Sequence, residues 1–226
     1  PDPCRVPTVF EVDEALTALA LVALEDGEPR RRGVRALIAA QRSDGAFGPP
    51  GAAKQRFNWI LPTWALARLA PGEAATRRAL RRVEAEALTR SLDDCEAGWA
   101  LLAFEAARAS GLPVRAEAED AARETLREAV RTARHTTDAV PAMEARFGGG
   151  ATVPPVAASD DLHLLFFALP VRPVDAPGAV RYLLGSQAGS GCARGSWPPD
   201  RWWGTAGGRV YATATAILIL REAEKK

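Results

Sequence analysis

The sequence predicts an all-α fold, with an inner ring of apolar helices inside an outer ring of amphipathic ones. Three observations carry this. Helical periodicity runs through most of the 226 residues. Segments apolar on nearly every side alternate with segments charged along one face. No stretch alternates with period two for long enough to propose a strand. A chain that is 47% apolar and 25% charged can bury a sizeable core, which excludes general disorder. We read one domain over residues 1–226, its core at roughly 12–222.

The elements follow in order. Val12 to Glu25 carries Val12, Leu16, Leu19, Val22 and Ala23 on one stripe. Arg32 to Arg42 is amphipathic, with Leu37 and Ile38 inward and Arg30-Arg31-Arg32 on a solvated face before it. Asn58 to Ala70 is strongly apolar, with Pro62 read into its first turn. Glu73 to Thr89 is polar and arginine-rich, and Asp94 to Ser110 is apolar again. Ala116 to Thr132 is charged and exposed in character. Gly148-Gly149-Gly150 reads as a flexible connection. Asp161 to Leu169 is apolar, its start capped by Asp160-Asp161. Ala176 to Ser186 is mixed, and Val210 to Arg221 is apolar.

Charge excludes some partners. With 29 basic and 28 acidic residues the net charge is +1, so nothing favours nucleic acid or an anionic membrane. All basic residues except Lys54, Lys225 and Lys226 are arginine. No apolar run approaches the roughly 18 residues of a membrane-spanning helix. Three widely spaced cysteines (Cys4, Cys95 and Cys192) argue against a disulfide framework and for a reducing, cytoplasmic setting.

An internal repeat supports the ring. Gly33-Val-Arg-Ala-Leu37, then Gln41, Gly45 and Phe47, recurs as Gly178-Ala-Val-Arg-Tyr182, then Gln187, Gly195 and Trp197. Each copy ends an outer helix with Gln, makes a glycine turn, and sets an aromatic before an inner helix. Pro62-Thr63-Trp64-Ala65 and Ala212-Thr213-Ala214 match within those inner helices. The Gln amide is expected to satisfy backbone groups left open where the outer helix ends.

These turns resemble the QW-type repeats of the terpenoid cyclase and protein prenyltransferase superfamily, over roughly Val12 to Leu220. Gln41, Asp44-Gly45-Ala46-Phe47-Gly48 and Pro62-Thr63-Trp64-Ala65 are similar to a prenyltransferase β-subunit repeat. Trp197-Pro-Pro and Gly204 to Thr213 look more like bacterial squalene-cyclase-related proteins. The resemblance implies an α/α toroid of about five helical hairpins around a central cavity, and an apolar, isoprenoid-like substrate. The repeats themselves speak to fold and not to activity.

The resemblance also implies a metal. The family's prenyltransferases hold zinc on an Asp-x-Cys at the start of one inner helix and a His on another. Asp93, Cys95 and His163 match those positions, the last within Gly149-Gly150, Pro155, Asp160 and His163. Asp, Cys and His are ordinary zinc ligands, and three of them leave a fourth position for a substrate thiol, kept as thiolate. Residues at i and i+2 converge only if Asp93 caps the helix and Cys95 lies in its first turn. The same residues have plainer readings. Asp93-x-x-Glu96 spells a capping box, Cys95 suits a small buried hydrophobe, and His163 a core histidine.

A second chemistry overlaps the first. Class II terpene cyclases protonate an alkene with the middle acid of Asp-x-Asp-Asp, and Ser91-Leu92-Asp93-Asp94 resembles that motif with Ser at its first position. Asp93 and Asp94 would then be the acid pair. Arg90 matches a basic position that meets a diphosphate in the family. Trp59, Trp64 and Trp99 on inner helices and Trp202 in the last turn would line or cap the cavity, where aromatic faces stabilise carbocations. There are departures. Glu96 stands where the family often has Tyr, and Trp59 where His commonly precedes the Pro-Thr-aromatic-Ala turn. The family's protein prenyltransferases also pair with a helical α subunit, a protein partner. The resemblance therefore implies a diverged small-molecule enzyme rather than a cysteine prenylating one. Its non-catalytic alternative is a toroid module that binds a protein or a lipid.

Overall fold

The computed structural model describes residues 13–48, 56–89, 91–156, 159–199 and 202–225. Ten α-helices and no strand occur among the described residues. They divide into two compact units, one ending at Val140 and the other beginning at Pro141. No described helix is long and apolar enough to cross a membrane.

The first unit contains α1 (Asp13–Ala23), α2 (Glu28–Ala39), α3 (Phe57–Leu69), α4 (Ala74–Leu88), α5 (Asp94–Ala109) and α6 (Ala116–Thr132). α3 packs between α1 and α5, and these three make an inner row. α2 packs on α1 and α3, α4 on α3 and α5, and α6 on α5 and α4. The sequence pattern explains the layering. Nearly every residue of α3 and α5 is buried. α6 buries only Ala118, Ala122, Leu126 and Ala129, one stripe at helical spacing. Within this unit the apolar helices are the buried ones and the amphipathic helices pack on them.

Polar side chains of one helix finish the ends of another. Asn58 of α3, 1% exposed, accepts the Ala15 amide of α1 at 3.0 Å. Ser110 donates to the Ala67 carbonyl at the end of α3, at 2.8 Å. Glu84 of α4 accepts the Arg115 amide at the start of α6, at 2.8 Å. Each bond satisfies a backbone group near a helix end that helical geometry leaves open. Pro62 stands inside α3 rather than in its first turn, because the helix begins at Phe57. Lacking an N–H, it forgoes one helical bond.

The second unit contains α7 (Val140–Arg146, whose first residue closes the first unit), α8 (Leu162–Ala168), α9 (Ala176–Ser186) and α10 (Trp202–Glu224). α10 packs on α8 and on α9. It is broken at Gly208, whose backbone (φ 62°, ψ −160°) is not helical. Buried Asp175 accepts the Val156 amide at 3.0 Å and Arg172 Nε at 2.7 Å, tying the segment before α8 to the start of α9. The Arg172 guanidinium, with that amide, holds the Asp175 carboxyl below its ordinary range.

Two expectations are corrected here. The glycine run, read as a loose connection, is tied to α7. Glu144 of α7 accepts the Gly149 amide on its backbone carbonyl at 3.0 Å and the Ala151 amide on its carboxylate at 2.8 Å. A β-carbon at Gly149 would lie 1.6 Å from Glu144 Oε1. Gly149→Ala is therefore expected to displace that carboxylate and lower stability by about 1–2 kcal/mol, read from urea unfolding midpoints. The second correction concerns thiols. Cys95 forms no disulfide, but Cys192 is disulfide-bonded. A disulfide is at odds with the reducing setting that the cysteine spacing suggested.

The two repeat turns share one hydrogen-bond pattern. In the first, Gln41 Nε2 donates to the Gly45 carbonyl at 3.2 Å. In the second, Gln187 Nε2 donates to the Gly195 carbonyl at 2.9 Å. The amide after each Gln bonds the carbonyl after each Gly, Arg42 to Ala46 and Ala188 to Ser196, both at 2.9 Å. Each glycine amide returns to the residue after the Gln, Gly45 to Arg42 at 3.1 Å and Gly195 to Ala188 at 2.8 Å. Both glycines have positive φ, 87° and 81°, a region closed to most side chains. The Gln amide thus serves the turn's own carbonyl. Gln41 also reaches the Ala75 carbonyl in α4, at 2.9 Å. Phe47 and Trp197, which follow the turns, are buried.

Candidate functional site

The chemistry-bearing residues singled out in the sequence gather at the start of α5. Asp93 is its N-cap and forms a complete capping box. Its carboxylate accepts the Glu96 amide at 2.8 Å, and Glu96 Oε2 accepts the Asp93 amide at 2.9 Å. A cap ahead of an apolar run is what the spacing of Asp93 and Glu96 encodes.

Asp94, 6% exposed, faces a different neighbour. Its carboxylate accepts the Cys95 amide and the Thr136 amide, both at 2.8 Å, and the Thr136 hydroxyl. It anchors the segment after α6 to the head of α5. Cys95, 2% exposed, lies in the first turn and forms no disulfide.

Glu96 lies under a chain of charges. Arg56 donates to Glu96 Oε2 at 3.1 Å, and its Nε lies 3.8 Å from Glu86. Glu86 also takes Arg82 at 2.8 Å and the Ser91 hydroxyl at 2.7 Å. The Arg82 guanidinium rests 4.5 Å above the Trp59 ring. Asp93 is exposed, but desolvation by the surrounding protein pushes its carboxyl above its ordinary value; the Glu96 amide opposes this and the Asp94 charge adds to it. Glu96 is pushed up as well, by burial and then by the Asp93 charge, against the pull of Arg56. Two neighbouring carboxyls that resist ionisation are therefore concentrated at one helix head.

The remaining residues are distributed as follows. Trp64 and Trp99 are each 2% exposed and pack edge to face, ring centroids 5.9 Å apart. Trp59 is half-buried. His163 belongs to the second unit, on α8, 1% exposed and edge-on to Phe167 at 5.4 Å. Burial alone lowers its pKa to about 3, so its ring is neutral at ordinary pH. Asp161 caps α8 as the sequence suggested, accepting the Leu164 amide at 3.0 Å. Arg90 lies outside the described residues, and Trp202 opens α10. Among the described residues no group of three His, Cys, Asp or Glu side chains is arranged to hold a metal.

Sequence reading missed Arg56 and Thr136, which close this site. Neither has a local signal, since each partner lies some forty residues away along the chain. No family model matches the chain, and neither a known protein nor a solved structure gives a match.

Proposed function

We propose that this protein is a diverged enzyme of the terpenoid cyclase and prenyltransferase kind, an α/α toroid acting on an apolar, isoprenoid-like substrate. Asp93 is its proton donor. The observation that supports this most is the Asp93 carboxyl, exposed at the helix head beside Asp94 and Glu96 and held above its ordinary value. Alkene protonation requires a carboxylic acid with a raised pKa, and the shift at Asp93 is in that direction. Asp94 has a supporting part, fixed by Thr136 so that it stays beside Asp93 without turning toward substrate. Arg56 places a positive charge at Glu96, and Arg90 would meet an anionic group of the substrate. Trp59, half-buried on α3, is the aromatic face that a developing carbocation would meet.

Asp93→Asn tests the reading cleanly. Asparagine caps a helix as well as aspartate does, so stability is preserved while the proton is lost. Incubated with squalene and with geranylgeranyl diphosphate, the wild-type protein is expected to form cyclic products detectable by gas chromatography. The variant is expected to lose about 10²–10⁴-fold in rate. A variant as active as wild type removes Asp93 from the chemistry.

A zinc site on Asp93, Cys95 and His163 is the second reading. It draws on the residue types, a cysteine outside any disulfide two residues beyond Asp93 and a neutral histidine ring, both ordinary zinc donors. Zinc there would hold a substrate thiol as thiolate. Purified without an affinity tag, the chain would carry about one zinc, lost in Cys95→Ser and in His163→Ala. Metal retained by both variants ends this reading.

A further inference from the structure

Helix α4 breaks a charge pattern that its neighbour α6 keeps. On α6 every arginine is paired along the helix: Arg123 with Glu119 at 2.5 Å, Arg127 with Glu124 at 3.1 Å and Arg131 with Glu128 at 2.7 Å. Acids stand in its first turn and an arginine in its last, as the helix dipole favours. α4 has no acid in its first turn and carries Arg77, Arg78, Arg81 and Arg82. Arg77 with Arg81, and Arg78 with Arg82, set like charges four residues apart, an arrangement that weakens a helix. The fold occupies two of the four. Arg78 donates to Gln41 Oε1 at 2.8 Å, and Arg82 pairs with Glu86 at 2.8 Å while stacked on Trp59. Arg77 and Arg81 are exposed, and no carboxylate pairs with either among the described residues. Arg77 gives one N–H to the Gly72 carbonyl at 3.2 Å, and the rest of its fork is open. Four residues beyond Arg81 stands Ala85, and Glu84 is buried, its carboxylate on the Arg115 amide.

Two open guanidiniums one turn apart make an edge that suits anions, held against the helix's own electrostatics. The surroundings narrow the partner. The large apolar side chains exposed among the described residues are Leu24, Val174, Leu184 and Val210, and none of them is on α4. This face therefore has no wedge for a bilayer and no exposed ring on which a nucleic-acid base would stack. Spacing narrows it further. Residues four apart on a helix are separated by about 6 Å along its axis. Alternate residues of an extended peptide lie on one side, about 6.6 Å apart. Carboxylates at alternate positions of such a peptide reach Arg77 and Arg81 in turn, each taken by a planar fork in two parallel bonds. We propose that the Arg77 and Arg81 edge of α4 docks an extended acidic segment of a partner protein. Neither arginine has a part in the proposed chemistry.

The probe is a fluorescein-labelled octaglutamate peptide, titrated with the full chain at about 20 mM salt and followed by fluorescence anisotropy. Saturable binding is expected, at least tenfold weaker at about 150 mM salt. Arg77→Gln with Arg81→Gln is expected to weaken binding at least tenfold. Because it relieves a like-charge pair, this double variant is also expected to keep a urea midpoint no lower than wild type. Arg127→Gln with Arg131→Gln removes the same charge from α6 and is expected to leave binding within about twofold of wild type. Four results overturn the proposal. They are no saturable binding, equal losses in the two double variants, a lowered urea midpoint in the α4 variant, or tighter binding of an octathymidylate or of phosphatidylserine vesicles than of the peptide.

Discussion

Between pH 6.5 and 3 the metal-free chain is expected to lose on the order of 5 kcal/mol of stability through one side chain, His163. The folded protein holds this ring neutral down to about pH 3 because burial makes its charged form costly. The unfolded chain takes up the proton near 6.5, the ordinary value. Between those limits the unfolded state binds more protons. Stability is therefore whole above pH 6.5 and falls as the pH is lowered, by about 1.4 kcal/mol per pH unit. That is a large part of the roughly 5–15 kcal/mol available to a folded domain. Asp93 and Glu96, whose carboxyls are pushed up, act with the opposite sign and favour the folded state as the pH falls toward their ordinary range. A paired measurement separates the contributions. Urea unfolding in EDTA at several pH values from 7.5 to 4 is expected to give a shallower decline for His163→Leu than for wild type. Parallel declines would show that His163 contributes no proton linkage.

Asp94→Ala is expected to destabilise the protein by about 3 kcal/mol, although Asp94 was read as part of a catalytic pair. Its buried carboxylate accepts two backbone amides and a hydroxyl, and hydrogen bonds to a charged group are the stronger kind. Thr136 is exposed, so its freed groups find water and the loss stays below that of a fully buried donor set. The signature is local. In the variant the Thr136 amide should exchange with solvent far faster than in wild type, while amides in the middle of α3 keep their protection relative to global unfolding. Thr136→Val, which removes only the hydroxyl, is expected to lose about 1 kcal/mol. A variant at position 94 with wild-type stability and a protected Thr136 amide would sink this account and return Asp94 to direct chemistry.

The helices were legible because burial imposes a 3.6-residue period, and that period survives in composition. α6 was read over Ala116–Thr132, where the structure has it. α7 escaped notice because seven residues that begin Val140-Pro141 give too short a pattern to register. The early start of α10 was hidden by its glycines, and the break at Gly208 shows why they are there. At the site, the capping box was written in the four-residue span from Asp93 to Glu96. The partners that tune it were not. Arg56 and Thr136 meet α5 only after the chain has folded back, and no local pattern encodes an encounter of that kind. The same distinction explains the glycine run. Composition marked it as a loose link, whereas a carboxylate from the preceding helix holds it in place.

The paired repeat turns have a practical consequence. Gln reaches its glycine four residues on in the first copy and eight in the second, yet the bonds that close each turn are the same. Closure is thus independent of how much chain bulges out between Arg42 and Gly45 or between Ala188 and Gly195. Loop entropy rises only slowly with length, so such a bulge is thermodynamically tolerable. These turns are ready-made insertion points, where an epitope or a fluorescent reporter could be spliced in without altering the register of the helices on either side.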